Sequence, residues 1–399
     1  MPRITTDILV SGGGVAGLCA AAAFGAAGFS VVCVDPTVPV TERKAEGADL
    51  RTTAFLQPSL PVLQDAGLWT RLQPFAAALQ IMRIIDAGGP LPEPRLIKDF
   101  DASEISDQPF GWNLPNWLLR RELVARLAEL PNVRFRPGIS TTGLMTRAQQ
   151  ALISLSDGSS LSARLVIAAD GRFSALRAAA GIGVKTIRYG QKALAFAVTH
   201  PIPHLNVSTE IHRSGGPFTL VPLPDHQGRP SSAVVWMQTG PEVLRLAGLS
   251  QADFEAEIAL RSCGILGPLT LASRRSVWPI ITQIADRMSG ERLALLAEAA
   301  HVVPPIGAQG LNMSLADLSA LLDLARANPD QLGSPSMLDA YHRARYFDIA
   351  TRVRGINALN RAAMLGDPFL RDLRAGALNA LYSLAPVRKT LMKVGLGLR

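Results

Sequence analysis

Residues 7–35 read DILVSGGGVAGLCAAAAFGAAGFSVVCVD. Ile8 to Val10 form a short apolar run, the length of a buried strand rather than a helix. Gly12, Gly14 and Gly17 then fall in the spacing GxGxxG. Leu18 to Ala27 is alanine-rich and helix-forming, Gly28 ends it, and Val31 to Val34 form a second apolar run closed by Asp35. Gly12 permits the tight turn, Gly14 lets the backbone approach a pyrophosphate, and Gly17 lets helix and strand pack closely. The helix start adds free N–H groups and the positive end of a dipole. Asp35 lies 23 residues after Gly12, where a carboxylate can accept ribose hydroxyls. Strand, turn, helix, strand and acid in register predict a dinucleotide-binding unit. The turn alone does not separate NAD from FAD.

The chain has 399 residues, 48% hydrophobic and 18% charged. That supports a sizeable core and about two domains, or one large intertwined unit. The net charge is +8, and its position is informative: of 40 Lys/Arg and 32 Asp/Glu, 11 and 3 lie between Tyr341 and Arg399, which leaves 29 of each in the rest. A neutral body with a basic end does not suit a nucleic-acid binder, which needs a basic face on its core. It suits contact of one end with an anionic surface. Cys19, Cys33 and Cys263 are too few and too scattered for a disulfide framework, so a reducing cytoplasm is expected. Leu18 to Val34 is broken by Gly25, Gly28 and Ser30, which makes it a poor membrane span. Six histidines without clustered cysteines give no metal-ligand pattern, and no GxSxG elbow is present.

Further along, residues 49–69 (DLRTTAFLQPSLPVLQDAGLW) read as a charged start followed by an amphipathic helix with Leu56, Leu60 and Leu63 on one face. Arg51 stands before it. Residues 90–109 are rich in Pro and Asp and read as loop. Residues 116–130 (NWLLRRELVARLAEL) predict a helix that buries Leu119, Leu123, Leu127 and Leu130. Arg120, Arg121 and Arg126 surround that stripe. Residues 151–171 (ALISLSDGSSLSARLVIAADG) predict a hairpin around Asp157-Gly158, its second arm a buried strand ending at Asp170-Gly171. From Ala193 to Val277, short β-like runs such as ALAFAVTH, STEIHRS, PFTLVPL and SSAVVWM alternate with Pro and Gly, as in an antiparallel sheet. RLALLAEAAH, residues 292–301, then returns an apolar strand to the first unit. It leads into LLAEAAHVVPPIGAQGLN, residues 295–312, where Glu298 ends the apolar run and two prolines and two glycines precede a helix.

Three of these motifs occur together and in order: GxGxxG at Gly12, Asp170-Gly171, and HVVPPIGAQGLN. In that arrangement the chain resembles the FAD-dependent aromatic hydroxylases of the 4-hydroxybenzoate hydroxylase type. More finely, DLRTTAFLQPSLPVLQDAGLW, RRELVARL, GPFTLVPLP followed by SAVVW, and DPFLRDLRAGALNAL (residues 367–381) resemble the ubiquinone-biosynthesis hydroxylases. The resemblance covers nearly the whole chain. It implies an α/β fold: a discontinuous, Rossmann-like FAD-binding domain of the glutathione reductase type with an inserted antiparallel-sheet substrate domain and a C-terminal helical region. The expected boundaries are 1–75, 117–190 and 285–340 for the FAD domain, 76–116 and 191–284 for the substrate domain, and 341–399 for basic amphipathic helices.

The resemblance also implies roles. Gly12, Gly14 and Gly17 would face the FAD pyrophosphate and Asp35 the adenosine ribose. Arg51 and Arg120 match positions lining the flavin. Asp170 matches an acid near the pyrophosphate that is associated with nicotinamide-cofactor use. Glu298 matches the acid on the ribityl chain. Gly310 lets the backbone close in, and Leu311 and Asn312 match residues whose N–H groups reach the pyrimidine edge of the ring. Pro305 matches a proline beside flavin and substrate, so Arg51 and Pro305 are the residues expected nearest the reacting ring. His301 is expected to pack or hydrogen-bond locally. Where the family usually has Gly-Asp, this chain has Ala297-Glu298, and Asp35 stands where Glu is common.

The implied chemistry is ring hydroxylation of a polyprenylated phenol with NAD(P)H as co-substrate and O2 as oxidant, within ubiquinone biosynthesis. The implied partners are other proteins of that pathway. Two other activities share parts of the scaffold: hydroxylation of a soluble aromatic, and reduction of polyprenyl groups. A non-catalytic scaffold role is the third alternative, motivated by Ala297-Glu298. No residue is assigned as the base for the phenol. In the tail, Leu384, Val387, Leu391, Val394 and Leu398 share one helical face while Arg388, Lys389 and Lys393 lie on another. That pattern suits a helix lying on anionic lipid, hence a cytoplasmic protein peripheral to the inner membrane. It equally suits a terminal helix packed on its own domain.

Overall fold

In the computed structural model, which describes residues 4–89, 91–364, 376 and 379–397, two large sheets divide the chain. The first has five parallel strands at its centre, in the order Leu293–Leu295, Ser160–Ala168, Ile4–Ser11, Val31–Asp35 and Val133–Pro137. Strands covered on both faces read as continuous apolar runs, and Ile8, Leu9, Val10, Leu165 and Val166 are completely buried. The crossover between the first two strands is the helix Val15–Ala26, of which ten residues are buried. A helix that is apolar all round belongs inside a core. It packs on the helix Asn116–Ala128, whose Leu119, Leu123 and Leu127 are buried as their spacing predicts. The hairpin around Asp157-Gly158 forms, with Ala151–Leu155 antiparallel to Ser160–Ala168.

The second sheet runs His301–Val302, Ser276–Ala285, Val184–Thr199, Arg229–Thr239, Pro217–His226, Val207–His212, Ile81–Asp86 and Leu96–Asp101. All its pairings are antiparallel except that between Val207–His212 and Ile81–Asp86, which is parallel. Period-two alternation gives it two different faces. Leu194, Phe196, Val234, Trp236, Phe218 and Leu220 point to one side and are buried under Val243, Leu246, Phe254 and Ile258, which come from the helices Gly240–Gly248 and Gln251–Arg261. Each such side chain contributes about 1.5–3 kcal/mol by leaving water. The opposite face presents Ala195, Val235, Thr219, Glu210 and Ile84 in one register row.

Two local expectations change. Residues 52–56, read as the approach to a helix, form the strand Thr52–Leu56, because they pair antiparallel with Gly111–Pro115. The helix begins later, at Leu60–Asp65, and Leu56, Leu60 and Leu63 are still buried. Within 90–109, read as loop, Leu96–Asp101 is an edge strand. Pairing there places Arg83 opposite Asp99, and the two form an ion pair at 2.6 Å.

The two sheets are joined by a short passage. The strand Leu293–Leu295 belongs to the first sheet and His301–Val302 to the second. The connection between them is a single 3-10 turn, Ala297–Ala299. Below it Asp317, fully buried, is held at 2.7 Å by both His301 Nε2 and Arg345 Nε, so the passage, the helix Gln309–Ala327 and the helix Pro335–Met364 are fixed to one another. His301 therefore has the local bonding role expected of it. Among the described residues no helix is long and apolar enough to cross a membrane.

Candidate active site

A cavity of about 1240 Å³ runs between the two sheets. Single-ligand pockets are usually ~300–1,000 Å³, so this one has room for two molecules side by side. One end is bounded by Gly14 to Gly17, Ala169, Gly171, Glu298 and the turn Pro304–Gly310. The other is bounded by the Ala195, Val235 and Glu210 face of the second sheet.

The glycine turn is built as its spacing requires. Gly12 has φ +117°, and a Cβ there would lie 2.1 Å from the Ala169 carbonyl oxygen. A Cβ on Gly17 would lie 1.9 Å from the Gly12 carbonyl oxygen. A Cβ on Gly14 would meet nothing within 4 Å, because Gly14 faces the cavity. Asp35 does not line the cavity. Its Oδ2 accepts from Gly13 N at 2.6 Å, and its Oδ1 accepts from the N–H and hydroxyl of Thr37 at 2.7 and 2.6 Å. The short side chain reaches the turn and braces it. Asp170 likewise lies behind the wall: Oδ2 accepts from Leu176 N at 3.2 Å, while Oδ1 is buried without a hydrogen-bond partner.

Arg51 and Arg120 both line the cavity and share one carboxylate. Arg51 donates to Asp49 through Nε and Nη2 at 2.8 and 2.7 Å, Asn116 adds a third bond at 3.1 Å, and Arg120 stands 3.8 Å away. Burial raises the Asp49 carboxyl, and these bonds more than offset it, holding it below its ordinary value. Arg51 also lies 5.5 Å over the ring of Trp278, a residue of the second sheet, so it ties the two halves of the cavity together.

At the far side of the turn, the helix Gln309–Ala327 starts from Ala308 in the left-handed conformation, with no side-chain cap and no acid in its first turn. Its free N–H groups point where an anion would be held. Gly310 and Leu311 line the cavity and Pro305 is exposed to it. Asn312 does not line it. Its side chain accepts from Leu56 N and Ser59 Oγ at 2.8 and 2.7 Å and donates to Ala54 O and Ala308 O at 2.8 and 2.6 Å. All its bonding capacity anchors the helix start to the Thr52–Leu56 strand.

The tail helix Ala385–Leu396 closes one side of the cavity through Leu391, Met392 and Leu396. Arg388 donates to Glu104 at 2.7 Å, and Gln309 Nε2 donates to Gly395 O at 2.9 Å. Met392 and Leu396 are buried, whereas Leu384, Leu391 and Val394 are exposed. The helix thus packs on its own domain through Met392 and Leu396, while Leu391 and Val394 stand at the rim, lining the cavity and exposed at once. Leu398 and most of the 367–381 segment lie outside the described residues.

An open cradle at Gly14 and two uncapped helix starts on one cavity fit a dinucleotide with a ring carrying negative charge. Comparison with known proteins agrees. The family described as FAD binding domain matches residues 5–354. Ubiquinone hydroxylase UbiL of Rhodospirillum rubrum is 31% identical over 98% of this chain and 89% of its own length. The chain belongs to the ubiquinone hydroxylase family of FAD-dependent monooxygenases. The 3-demethoxyubiquinol 3-hydroxylase of Escherichia coli is 27% identical over the full length of both chains. Among solved structures, p-nitrophenol 4-monooxygenase PnpA of Pseudomonas putida has the same fold, with a TM-score of 0.79 at 20% identity over all of both chains.

Against this ubiquinone hydroxylase family, the Ala297-Glu298 departure has a structural reading. Ala297 has φ +57°, a conformation that costs a residue with a Cβ roughly 1–2 kcal/mol. The longer Glu298 side chain is drawn to Arg172, which donates to it at 3.1 and 3.4 Å. Glu298 still lines the cavity. Arg172, Trp278, Glu210 and His212 were not singled out by the sequence. The signal for the last two was present: in STEIHRS they alternate with Thr209 and Ile211, which are buried.

Two outcomes are expected. Gly14→Ala folds with unchanged stability and loses FAD affinity at least tenfold by fluorescence titration, whereas Gly17→Ala loses about 3 kcal/mol of unfolding free energy. Equal behaviour of the two contradicts the assignment. Ala297→Gly raises the urea midpoint by the equivalent of about 1 kcal/mol without weakening FAD binding; a lowered midpoint shows that φ at this position carries no strain.

Proposed function

We propose that the chain uses NAD(P)H and O2 to hydroxylate the aromatic ring of a polyprenylated phenol in ubiquinone biosynthesis. The observation that carries this reading is the continuity of the cavity, from the glycine turn to an apolar sheet face. Relatives named as ubiquinone hydroxylase and 3-demethoxyubiquinol 3-hydroxylase supply the substrate class.

When bound, FAD supplies acceptance of hydride from NAD(P)H and activation of O2 for transfer of one oxygen atom. The chain's own residues do the rest. Gly12, Gly14 and the start of the Val15–Ala26 helix would hold the pyrophosphate, with Asp35 and Asp170 supporting that turn. Glu298 would hold the ribityl chain. The N–H groups at Gly310, Leu311 and Asn312 would stabilise negative charge on the pyrimidine edge without reorganising, because the Asn312 side chain fixes the helix start. Pro305 stiffens the turn beside the ring. Arg51 and Arg120, already oriented by Asp49, would flank the ring. Ala195, Val221, Ala233 and Val235 exclude water from the reacting centre. The nicotinamide nucleotide would bind transiently, since the sequence holds no second dinucleotide fingerprint.

The exposed residues Leu384, Leu391 and Val394, beside Lys389 and Lys393, support peripheral contact of the tail with an anionic membrane, where a polyprenyl phenol resides. Co-flotation of the protein with phosphatidylglycerol vesicles is expected, and Leu391→Asp with Val394→Asp is expected to reduce it severalfold; protein that remains in the dense fraction argues against this contact. For the activity itself, the chain is expected to restore ubiquinone in one or more bacterial strains blocked at single ring hydroxylations, with loss of the matching intermediate by mass spectrometry. Restoration in none of them counts against the reading.

A further inference from the structure

Among the described residues, three exposed large hydrophobic side chains also line the cavity: Leu359, Leu391 and Val394, at 60%, 46% and 61% exposure. All three come from two helices, Pro335–Met364 and Ala385–Leu396. A side chain that meets cavity and solvent at once marks an opening, so an apolar mouth lies between these helices. On the long helix the lining residues Asp348, Arg352, Gly355, Leu359 and Ala362 follow one another at steps of four, three, four and three, the spacing of a single face. That stripe is polar at one end, where Arg352 donates to Asp348 at 3.1 Å. Beyond that pair it carries no charge.

The polar end is where the two helices are latched. Gln309, at the start of its own helix, donates to Gly395 O at 2.9 Å and accepts from Arg352 Nη1 at 3.2 Å. A Cβ on Gly397 would lie 2.8 Å from Arg352 Nη2. One helical turn beyond the latch, space opens. A Cβ on Gly355 would meet nothing within 4 Å, and neither would one on Gly395. Glycine weakens a helix, and it is usually placed where φ is positive or where another backbone comes close. Neither reason holds here. Neither glycine has a positive φ, nothing approaches either of them, and Gly355 lies in the interior of a 30-residue helix. What the two share is that both line the cavity and both are exposed. They leave a slot from cavity to surface, with Leu359 on one helix and Leu391 and Val394 on the other.

We propose that this slot binds the isoprenoid chain of the substrate, with the ring in the cavity and the chain leading out between the two helices. This rests on the polyprenylated-phenol reading above. The cavity of about 1240 Å³ has room for a flavin and an aromatic ring side by side, so a chain of several isoprene units has to leave it. Such a chain has no hydrogen-bonding group, and it is accepted only where the wall has none left unpaired. Ile356, Leu359, Leu391 and Val394 supply that wall. Each methylene taken fully from water is worth about fourfold in affinity. The slot opens at Leu391 and Val394, the residues assigned above to membrane contact, so the chain passes from protein to lipid without crossing water. A free acyl chain has the same chemistry along its length, but it carries no aromatic ring to occupy the cavity.

The test uses the FAD-loaded full chain and two measurements. In the first, a farnesyl-type phenol with a diazirine at the end of its chain is photolysed on the wild type, and the labelled peptides are identified by mass spectrometry. Label is expected on residues 355–363 and 391–396, displaced by 2-farnesylphenol and not by palmitate. In the second, 2-farnesylphenol is compared with 2-prenylphenol as substrate. The wild type is expected to favour the longer chain by about tenfold or more in kcat/KM, and Gly355→Leu, which fills the slot, to lose most of that preference. Leucine is a better helix former than glycine and leaves Leu391 and Val394 in place. Melting temperature and FAD content establish that the variant is folded, and if it is not, the labelling of the wild type decides. Label confined to the second sheet, displacement by palmitate alone, or a preference unchanged in Gly355→Leu overturns the slot and leaves the substrate reading standing. A wild type that is neither labelled by the probe nor active on any prenylphenol overturns the substrate reading, and the slot with it.

Discussion

The site depends on one constraint: the chain must pass from a strand of the first sheet to a strand of the second within residues 296–300. Leu293–Leu295 is buried in the parallel sheet and His301–Val302 pairs with the antiparallel one. A connection that short leaves no freedom in how the sheets meet, so the dinucleotide cradle and the apolar face confront each other across one cavity. The passage holds its shape through Ala297 in the left-handed region and through Asp317, which binds His301 from below and Arg345 from the long helix. A buried carboxylate with two such partners is costly to disrupt, because removing it leaves His301 Nε2 and Arg345 Nε without their partner, and Asp348 alone then pairs with the arginine.

From that junction the division of labour follows. The first sheet contributes backbone: the glycine turn and two helix starts, whose N–H groups act on charge without the motion that side chains require. The second sheet contributes a surface that is apolar over most of its extent and therefore dry. Arginine–carboxylate pairs line the boundary and are held in fixed orientations. Arg51, bonded to Asp49 and stacked over Trp278, belongs to both halves.

Much of this was legible in the sequence where local chemistry has one structural solution. GxGxxG with an acid 23 residues on allows few folds, and Gly12, Gly14 and Gly17 occupy the turn, the opening and the close contact that their spacing implies. The apolar spacing of Leu119, Leu123 and Leu127 specified a helix face for the same reason. Strand pairing was not legible for Thr52–Leu56, whose partner Gly111–Pro115 is remote in the chain, nor for Leu96–Asp101, which pairs with the preceding strand Ile81–Asp86 although its own sequence is rich in Asp; in both, pairing overrides local preference. Nor did the sequence reveal that Asp35 and Asp170 lie behind the cavity wall while Asn312 spends its amide on anchoring a helix. Residue type indicates what a side chain can bond, and only packing decides which of its possible partners is within reach. Gly355 and Gly395 show the same limit. Both are plain in the sequence, but the slot they leave open between two helices exists only in three dimensions.

The central claim is that this cavity transfers an oxygen atom to an aromatic ring. Its most direct test is turnover of a short-chain prenylphenol by the purified, FAD-loaded protein with NAD(P)H under ¹⁸O2, read by mass spectrometry. The account predicts a ring-hydroxylated product carrying one labelled oxygen atom, dependent on both FAD and O2. A product that forms without O2, that carries hydrogen added to the prenyl chain, or that takes its oxygen from water would contradict it.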